Sequence, residues 1–145
     1  MTGTIVCAVD DSDGVSVAVE VARELAERFD ARLLLVSVAD GFGLGVAVSG
    51  HQARADARRR LDRVVEEHEL PDEEHRVAVG DPVEAVALIA AEEAADVIVV
   101  GARRGLLGRT LRSSLADELA ATAPCPVVGA PAALAARLSH AGPRA

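Results

Sequence analysis

The residues of this chain best suited to chemistry lie between Asp96 and Ala130, in DVIVVGARRGLLGRTLRSSLADELAATAPCPVVGA. A short apolar run, Val97 to Val100, turns at Gly101 into a segment carrying Arg103, Arg104, Arg109 and Arg112. The chain then enters a helix through Ser113 and Ser114. A strand leading through a glycine- and arginine-containing loop to a helix start is a common way to hold phosphate. Glycine lets the backbone come close to the ligand. The unpaired N–H groups and the dipole of the helix start favour an anion. Four of the fifteen basic residues fall within 103–112, in a chain whose net charge is -8. Ser114 followed three residues later by Asp117 also reads as a helix cap, so these serines can cap a helix alone or cap it while touching phosphate. The arginines can equally form an exposed turn that pairs with nearby acids.

Other constellations say less. Asp10 follows the first apolar run, where it can face a ligand or cap a helix beside Asp11 and Ser12. The stretch Gly41–Gly45, GFGLG, follows the second apolar run and lacks the spacing of a dinucleotide fingerprint. It reads as a mobile loop that can serve as a flap over the ligand edge. His51, His68, His75 and His140 are scattered and unpaired in sequence, with no His-x3-His metal pair and no Ser–His–Asp set in view. No nucleophile has an identifiable base, and no metal site is expected. Cys7 and Cys125 are the only cysteines. Without a CxxC they signal neither zinc nor redox chemistry, and both are expected as buried thiols in core strands.

These residues must be positioned by the elements around them. At 145 residues, half of them apolar, the chain makes one domain able to bury roughly 70% of its unfolded surface. Phe29 and Phe42 are the only aromatic residues, so the core is aliphatic and offers no stacking platform for single-stranded nucleic acid. The acidic balance argues against duplex binding. All basic residues are Arg, which with the alanine content suggests a GC-rich genome. No apolar run approaches the ~20 residues of a membrane span. The first strand begins too early for a signal peptide, so a cytoplasmic location is expected.

The spacing predicts strands at Thr4–Val9, Leu33–Val38, Arg76–Val79, 97–100 and Val127–Val128, the last an edge strand behind Pro126. Helices are expected over 14–29, with Val15, Ala18, Val19, Ala22, Leu25 and Phe29 as the apolar stripe, and over about 51–68. The second stripe is Ala57, Leu61, Val64 and Val65, and Arg58, Arg59, Arg60, Arg63, Glu66 and Glu67 form a solvated face. A third helix starts at Asp81-Pro82 with Glu84 in its first turn and runs to about Ala95. A fourth covers roughly 114–122. The tail, 131–145, is expected to be partly helical before a disordered end. Alternating strands and helices without hairpins imply an α/β fold, a parallel sheet with helices on both faces. Ligands of such folds sit beyond the carboxyl ends of the strands.

Taken in order, AVDDS, LLLVSVAD, GDP-x3-A-x2-IA, ADVIVVGARR and SSLADELAATAPCPVV resemble the universal stress protein family, over about residues 1–130. The resemblance implies a five-stranded parallel sheet of order 3-2-1-4-5, a Rossmann-like fold of the adenine nucleotide alpha hydrolase type. It also implies a homodimer formed through the last strand, here Cys125, Pro126, Val127 and Val128. One branch of the family binds ATP through G-x2-G-x9-G-S/T; another lacks the motif and does not. Carried onto this chain, Asp10 would lie near ribose and phosphate, Val38 would offer backbone contacts to adenine, and Ala8, Val9 and Val100 would line the pocket. Gly101 is the first motif glycine. Arg104 stands at the second glycine position and Gly105 comes one place late. Ser113-Ser114 replaces the G-S pair in a loop one residue shorter, followed by Leu115. Arg103 or Arg104 is the expected phosphate contact in this loop. The resemblance therefore implies a nucleotide-binding (ATP or AMP) stress-response regulator with a protein partner, at most a slow hydrolase, with Mg²⁺ if nucleotide is bound. The alternative is an interaction module of the same fold that binds no nucleotide. An adenylating enzyme is disfavoured, because AVDDSDG stands where SGGxDS would be required.

Overall fold

Aliphatic runs too short for helices and apolar at consecutive positions can only be satisfied in strands covered on both faces. The computed structural model describes residues 3–10, 14–39, 50–71, 73–101 and 115–130. In it the elements are β1 (Thr4–Ala8), α1 (Val15–Arg28), β2 (Arg32–Ala39), α2 (Gly50–Glu67), β3 (Glu74–Val79), α3 (Pro82–Glu92), β4 (Val97–Gly101), α4 (Leu115–Thr122) and β5 (Val127–Ala130). The strands form one parallel sheet of order β3-β2-β1-β4-β5, the architecture expected from the sequence.

Alternate residues of each strand feed opposite cores. Ile5, Cys7, Val9, Leu33, Leu35 and Val99 pack with α1 and α2, whereas Val6, Ala8, Leu34, Val36, Ile98 and Val100 pack with α3 and α4. Helix α2 buries Ala53, Ala57, Leu61 and Val64 along one stripe. Helix α1 buries Val17, Ala18, Val19, Ala22 and Ala26. Phe29 departs from the expected stripe: it is the C-cap of α1 and 63% exposed, because the chain has already left the helical path there. Cys7 lies in the core as expected, its thiol pushed up to about 12 by burial and then by the charge of Asp10. Cys125 is not in a strand. It precedes β5 and is half-buried, with its pKa raised by burial and then by Asp96. Both thiols are held in the protonated, weakly nucleophilic form.

The start of α3 follows its sequence signals. Asp81 accepts a hydrogen bond from the Glu84 amide at 3.0 Å, and Pro82 occupies the first turn. Its end does not: the helix stops at Glu92 rather than near Ala95. The reason is a Schellman turn, in which the Ala94 amide donates to the Ala91 carbonyl and the Ala95 amide to the Ala90 carbonyl. Ala94 sits at φ 51°. Helices α1 and α2 end the same way, through Asp30 (φ 51°) and Glu69 (φ 52°), with Ala31 and Leu70 bonding back to Ala26 and Val65. Ala31, Leu70 and Ala95 then pack into the cores, so each turn delivers the chain to the next strand.

The amino edge of the sheet is pinned by polar groups. Asp96 accepts from the Thr4 amide through Oδ2 at 3.0 Å, while its own amide donates to the Thr4 carbonyl at 2.8 Å. A Cβ on Gly3 would lie 2.0 Å from that carboxylate oxygen, which restricts this position to glycine while the clamp is closed. Beside it, Arg32 pairs with Glu74 at 3.2 Å and with Glu93, and Arg76 pairs with Glu92 at 3.2 Å and Glu93 at 3.5 Å. The Arg32 hydrogen bond holds the Glu93 carboxyl below its ordinary range.

A non-glycine residue in the left-handed region costs ~1–2 kcal/mol, of which glycine's extra unfolded-state entropy offsets about 0.4–1. The Ala94→Gly variant is therefore expected to be more stable by about 0.5–1 kcal/mol, read as a higher urea midpoint with an unchanged slope.

Candidate functional site

Strand β1 is hydrogen-bonded on both sides, to β2 and β4, and it is the first of the three to stop. Ala8 lies opposite Val36 of β2 and Val100 of β4. The last bond on the β2 side runs from the Val9 amide to the Val36 carbonyl at 2.7 Å. Beyond that point β2 continues through Ser37, Val38 and Ala39, and β4 continues to Gly101, paired with Ala130 of β5. Among the described residues a notch is left over the end of β1. It lies where the strand order reverses between β1 and β4, the ligand position of open parallel sheets.

The notch has main-chain walls. Ala8, Val9 and Val100 are expected site residues brought together here, but their side chains are buried in the two cores, so they offer a ligand backbone rather than side chain. Val38 is half-buried and Asp10 stands just past β1, also half-buried. Gly101 is buried at the end of β4. Leu115 begins α4 and packs against the core shared with α3. Arg103, Arg104, Gly105, Ser113 and Ser114 lie outside the described residues, as do Arg109, Arg112, the 41–45 glycine stretch and the tail.

Arg60 is a residue of this edge that sequence reasoning placed on a solvated face. It is half-buried, and it donates from Nε to the Ser37 hydroxyl at 3.2 Å and from Nη2 to the Val38 carbonyl at 3.1 Å. Ser37 is completely buried and needs such a partner. Carbonyls two residues apart in a strand point the same way. The Val38 carbonyl therefore points toward the side where β1 would continue, and Arg60 supplies the donor that β1 no longer does. The sequence signal was available: Arg60 lies three residues after buried Ala57 and four before buried Val64, at the margin of the apolar stripe, where a long side chain can reach inward. The neighbouring Arg58, Arg59 and Arg63 are exposed as expected.

A second departure involves His68, at the C-cap of α2. It is not unpaired: Nδ1 lies 2.6 Å from Glu20 Oε1 and Nε2 lies 3.2 Å from Ser16 Oγ, and its ring is only 9% exposed. The sequence concealed this set because its members lie 48 and 52 positions apart and meet only when α1 and α2 pack side by side.

A cavity of about 400 Å³ opens at the opposite edge of the sheet, between the ends of α1 and α2, with Glu27, Asp30, Glu69 and Glu73 on its wall. Its acidic lining and its place at the amino edge separate it from the notch. Among the described residues no cluster of His, Cys, Asp or Glu could hold a metal ion, and no helix is long and apolar enough to cross a membrane.

A doubly wound parallel sheet with a notch at its switch point defines a class of α/β proteins that present main-chain groups to small ligands. Within that class the chain belongs to the universal stress protein family, whose model matches residues 1–130. It is 34% identical over 136 residues to a universal stress protein of Thermus aquaticus, encoded in the QAH/OAS sulfhydrylase 3' region, covering 88% of this chain and 98% of that one. Among solved structures, UspA from Lactobacillus plantarum superimposes with a TM-score of 0.73 at 22% identity, over 88% of this chain and 97% of that one. The Archaeoglobus fulgidus universal stress protein solved in complex with dAMP gives 0.63 at 22% identity, over 88% and 97%.

Removing Arg60's head group while keeping much of its stem leaves the buried Ser37 hydroxyl and the Val38 carbonyl short of a donor. Arg60→Met is expected to cost about 1–3 kcal/mol by urea unfolding, whereas Arg59→Met on the exposed face should stay within about 0.5 kcal/mol.

Proposed function

We propose that the protein is a nucleotide-binding regulator, with an adenine nucleotide such as ATP or AMP seated over the end of β1. The observation that carries this reading is the notch, where β1 stops at Ala8 between two longer neighbours. The binding of dAMP by a relative of the same fold supports it. In this reading the base lies against the main chain at Val9 and Val38, with one lone pair of the Val38 carbonyl already engaged by Arg60. Gly101 starts the phosphate loop. Arg103 and Arg104 neutralise the phosphates, and Ser113 and Ser114 offer hydroxyl and amide donors at the start of α4. Asp10 near phosphate requires a compensating cation. Those arginines can supply it, and Mg²⁺ carried on the phosphates would supply further positive charge. The chemistry is binding, with at most slow hydrolysis. The protein acts in the cytoplasm as a homodimer through β5, the edge strand whose Val128 is 38% exposed, and nucleotide occupancy alters its contacts with a regulatory partner protein.

The second reading, an interaction module without nucleotide, is favoured by the loop sequence: Arg104 and Ser113 stand where the family's binding branch has glycine. Calorimetric titration with ATP and Mg²⁺, and with AMP, separates the two. Micromolar binding is expected, weakened by at least about tenfold in the Arg103→Ala/Arg104→Ala variant, as loss of two charge-assisted contacts requires. No heat and no thermal shift at millimolar nucleotide would leave the interaction module as the function.

A further inference from the structure

Helix α1 carries Ser16, Glu20 and Arg23 at successive turns on one face, and the C-terminal end of α2 lies across that face. Arg23 Nη1 donates to the His68 main-chain carbonyl at 3.3 Å, fixing the level at which the histidine enters the groove. Its imidazole then reaches Glu20 at 2.6 Å and Ser16 at 3.2 Å. A carboxylate can only accept, so Nδ1–H donates to Glu20. That tautomer leaves the Nε2 lone pair to accept the Ser16 hydroxyl proton. The ring is nine-tenths buried, whereas Ser16 is exposed. A held base thus faces an accessible nucleophile.

We propose that Ser16, His68 and Glu20 form an acyl-transfer centre, separate from the carboxyl-edge notch, that takes small carboxylic esters as acyl donors. Ser16 is the nucleophile, His68 the general base and then acid, and Glu20 the positioning residue that sets the tautomer. The first bond within α1 runs from the Ala18 amide to the Gly14 carbonyl at 2.9 Å, so the amides of Val15, Ser16 and Val17 are not used inside the helix. In the proposed centre these first-turn amides would be the donors to the oxyanion. Ser16 Oγ attacks the ester carbonyl carbon, its proton passes to His68 Nε2, and the carbonyl oxygen takes up the displaced electron pair. Collapse breaks the bond to the alcohol oxygen, which leaves with the proton from His68. Water then cleaves acyl-Ser16, giving a proton to His68 that returns to Ser16 Oγ. Exposure of Ser16 on an open helix face matches small, activated donors rather than a large substrate requiring a deep pocket.

The test uses the full chain with p-nitrophenyl acetate, following p-nitrophenolate release and locating the acetyl group by fragmentation mass spectrometry. Acetylation at Ser16 is expected. Its rate should fall by at least about 100-fold, the usual share of general-base catalysis, in both Ser16→Ala and His68→Gln, and should also fall in Glu20→Gln. Thermal melts of the three variants report folding; Ser16→Ala, at an exposed site, is expected to melt as the parent does. A merely structural Ser–His–Glu contact would change melts without changing acetylation. Absence of acetylation, an acetyl group placed on another residue, or an undiminished rate in Ser16→Ala would overturn the proposal.

Discussion

Strand β1 has neither a free face nor a free edge, and the rest of the molecule is arranged around that fact. Its residues are buried on both sides and hydrogen-bonded to β2 and β4. Every position is therefore aliphatic, small or, at Thr4, polar with a backbone anchored by Asp96. No side chain of β1 is available to a ligand. Its carboxyl end is where it stops before its neighbours, with Ala8 opposite Val36 and Val100. Side-chain chemistry at this edge must come from elsewhere: from Asp10 beyond the strand, from Arg60 on α2, and from the loop after β4.

Arg60 shows how the notch is maintained. A strand that ends early strands the carbonyls of its neighbour, and buried carbonyls demand donors. The guanidinium meets that demand at Val38 while satisfying the buried Ser37 hydroxyl. Beside the β3 pairing that holds Ser37, Val38 and Ala39 extended, it adds positive charge to an edge that also carries Asp10. The packing of α2 on β2 places Arg60 at one end of the sheet, and the far end of the same helix brings His68 to Glu20 and Ser16 of α1. Two polar arrangements thus depend on where α2 lies: one on its contact with β2, the other on its contact with α1.

The sheet order, the cores and the cap of α3 were legible because they follow from periodicity and local hydrogen bonding. Apolar runs, stripes such as Ala57, Leu61 and Val64, and the Asp81-Pro82 start all became what their patterns indicate. The end of α3 was not legible, because its left-handed residue is Ala94 rather than glycine, and the signal lies in the packing of Ala95. Phe29 misled for the same reason: periodicity continues past a helix end that backbone geometry has closed. Arg60 and His68 were hidden because a charged residue at the margin of a stripe can turn inward or outward, and only the neighbouring strand or helix decides. Ala8, Val9 and Val100 do lie near neighbouring strand ends, but β1 stops at Ala8, β4 runs on to Gly101, and all three side chains belong to the cores. The loop that follows Gly101 is the part of the site whose chemistry rests on sequence alone.

Ligand binding over the end of β1 is the function proposed for the notch. The most direct measurement is an amide chemical-shift titration of the labelled protein with AMP and with ATP plus Mg²⁺. Binding at the notch predicts the largest shifts at Val9, Asp10, Val38 and Gly101, with β3 and the amino edge near Thr4 and Asp96 little changed. Shifts confined to other elements, or none at millimolar nucleotide, would contradict it.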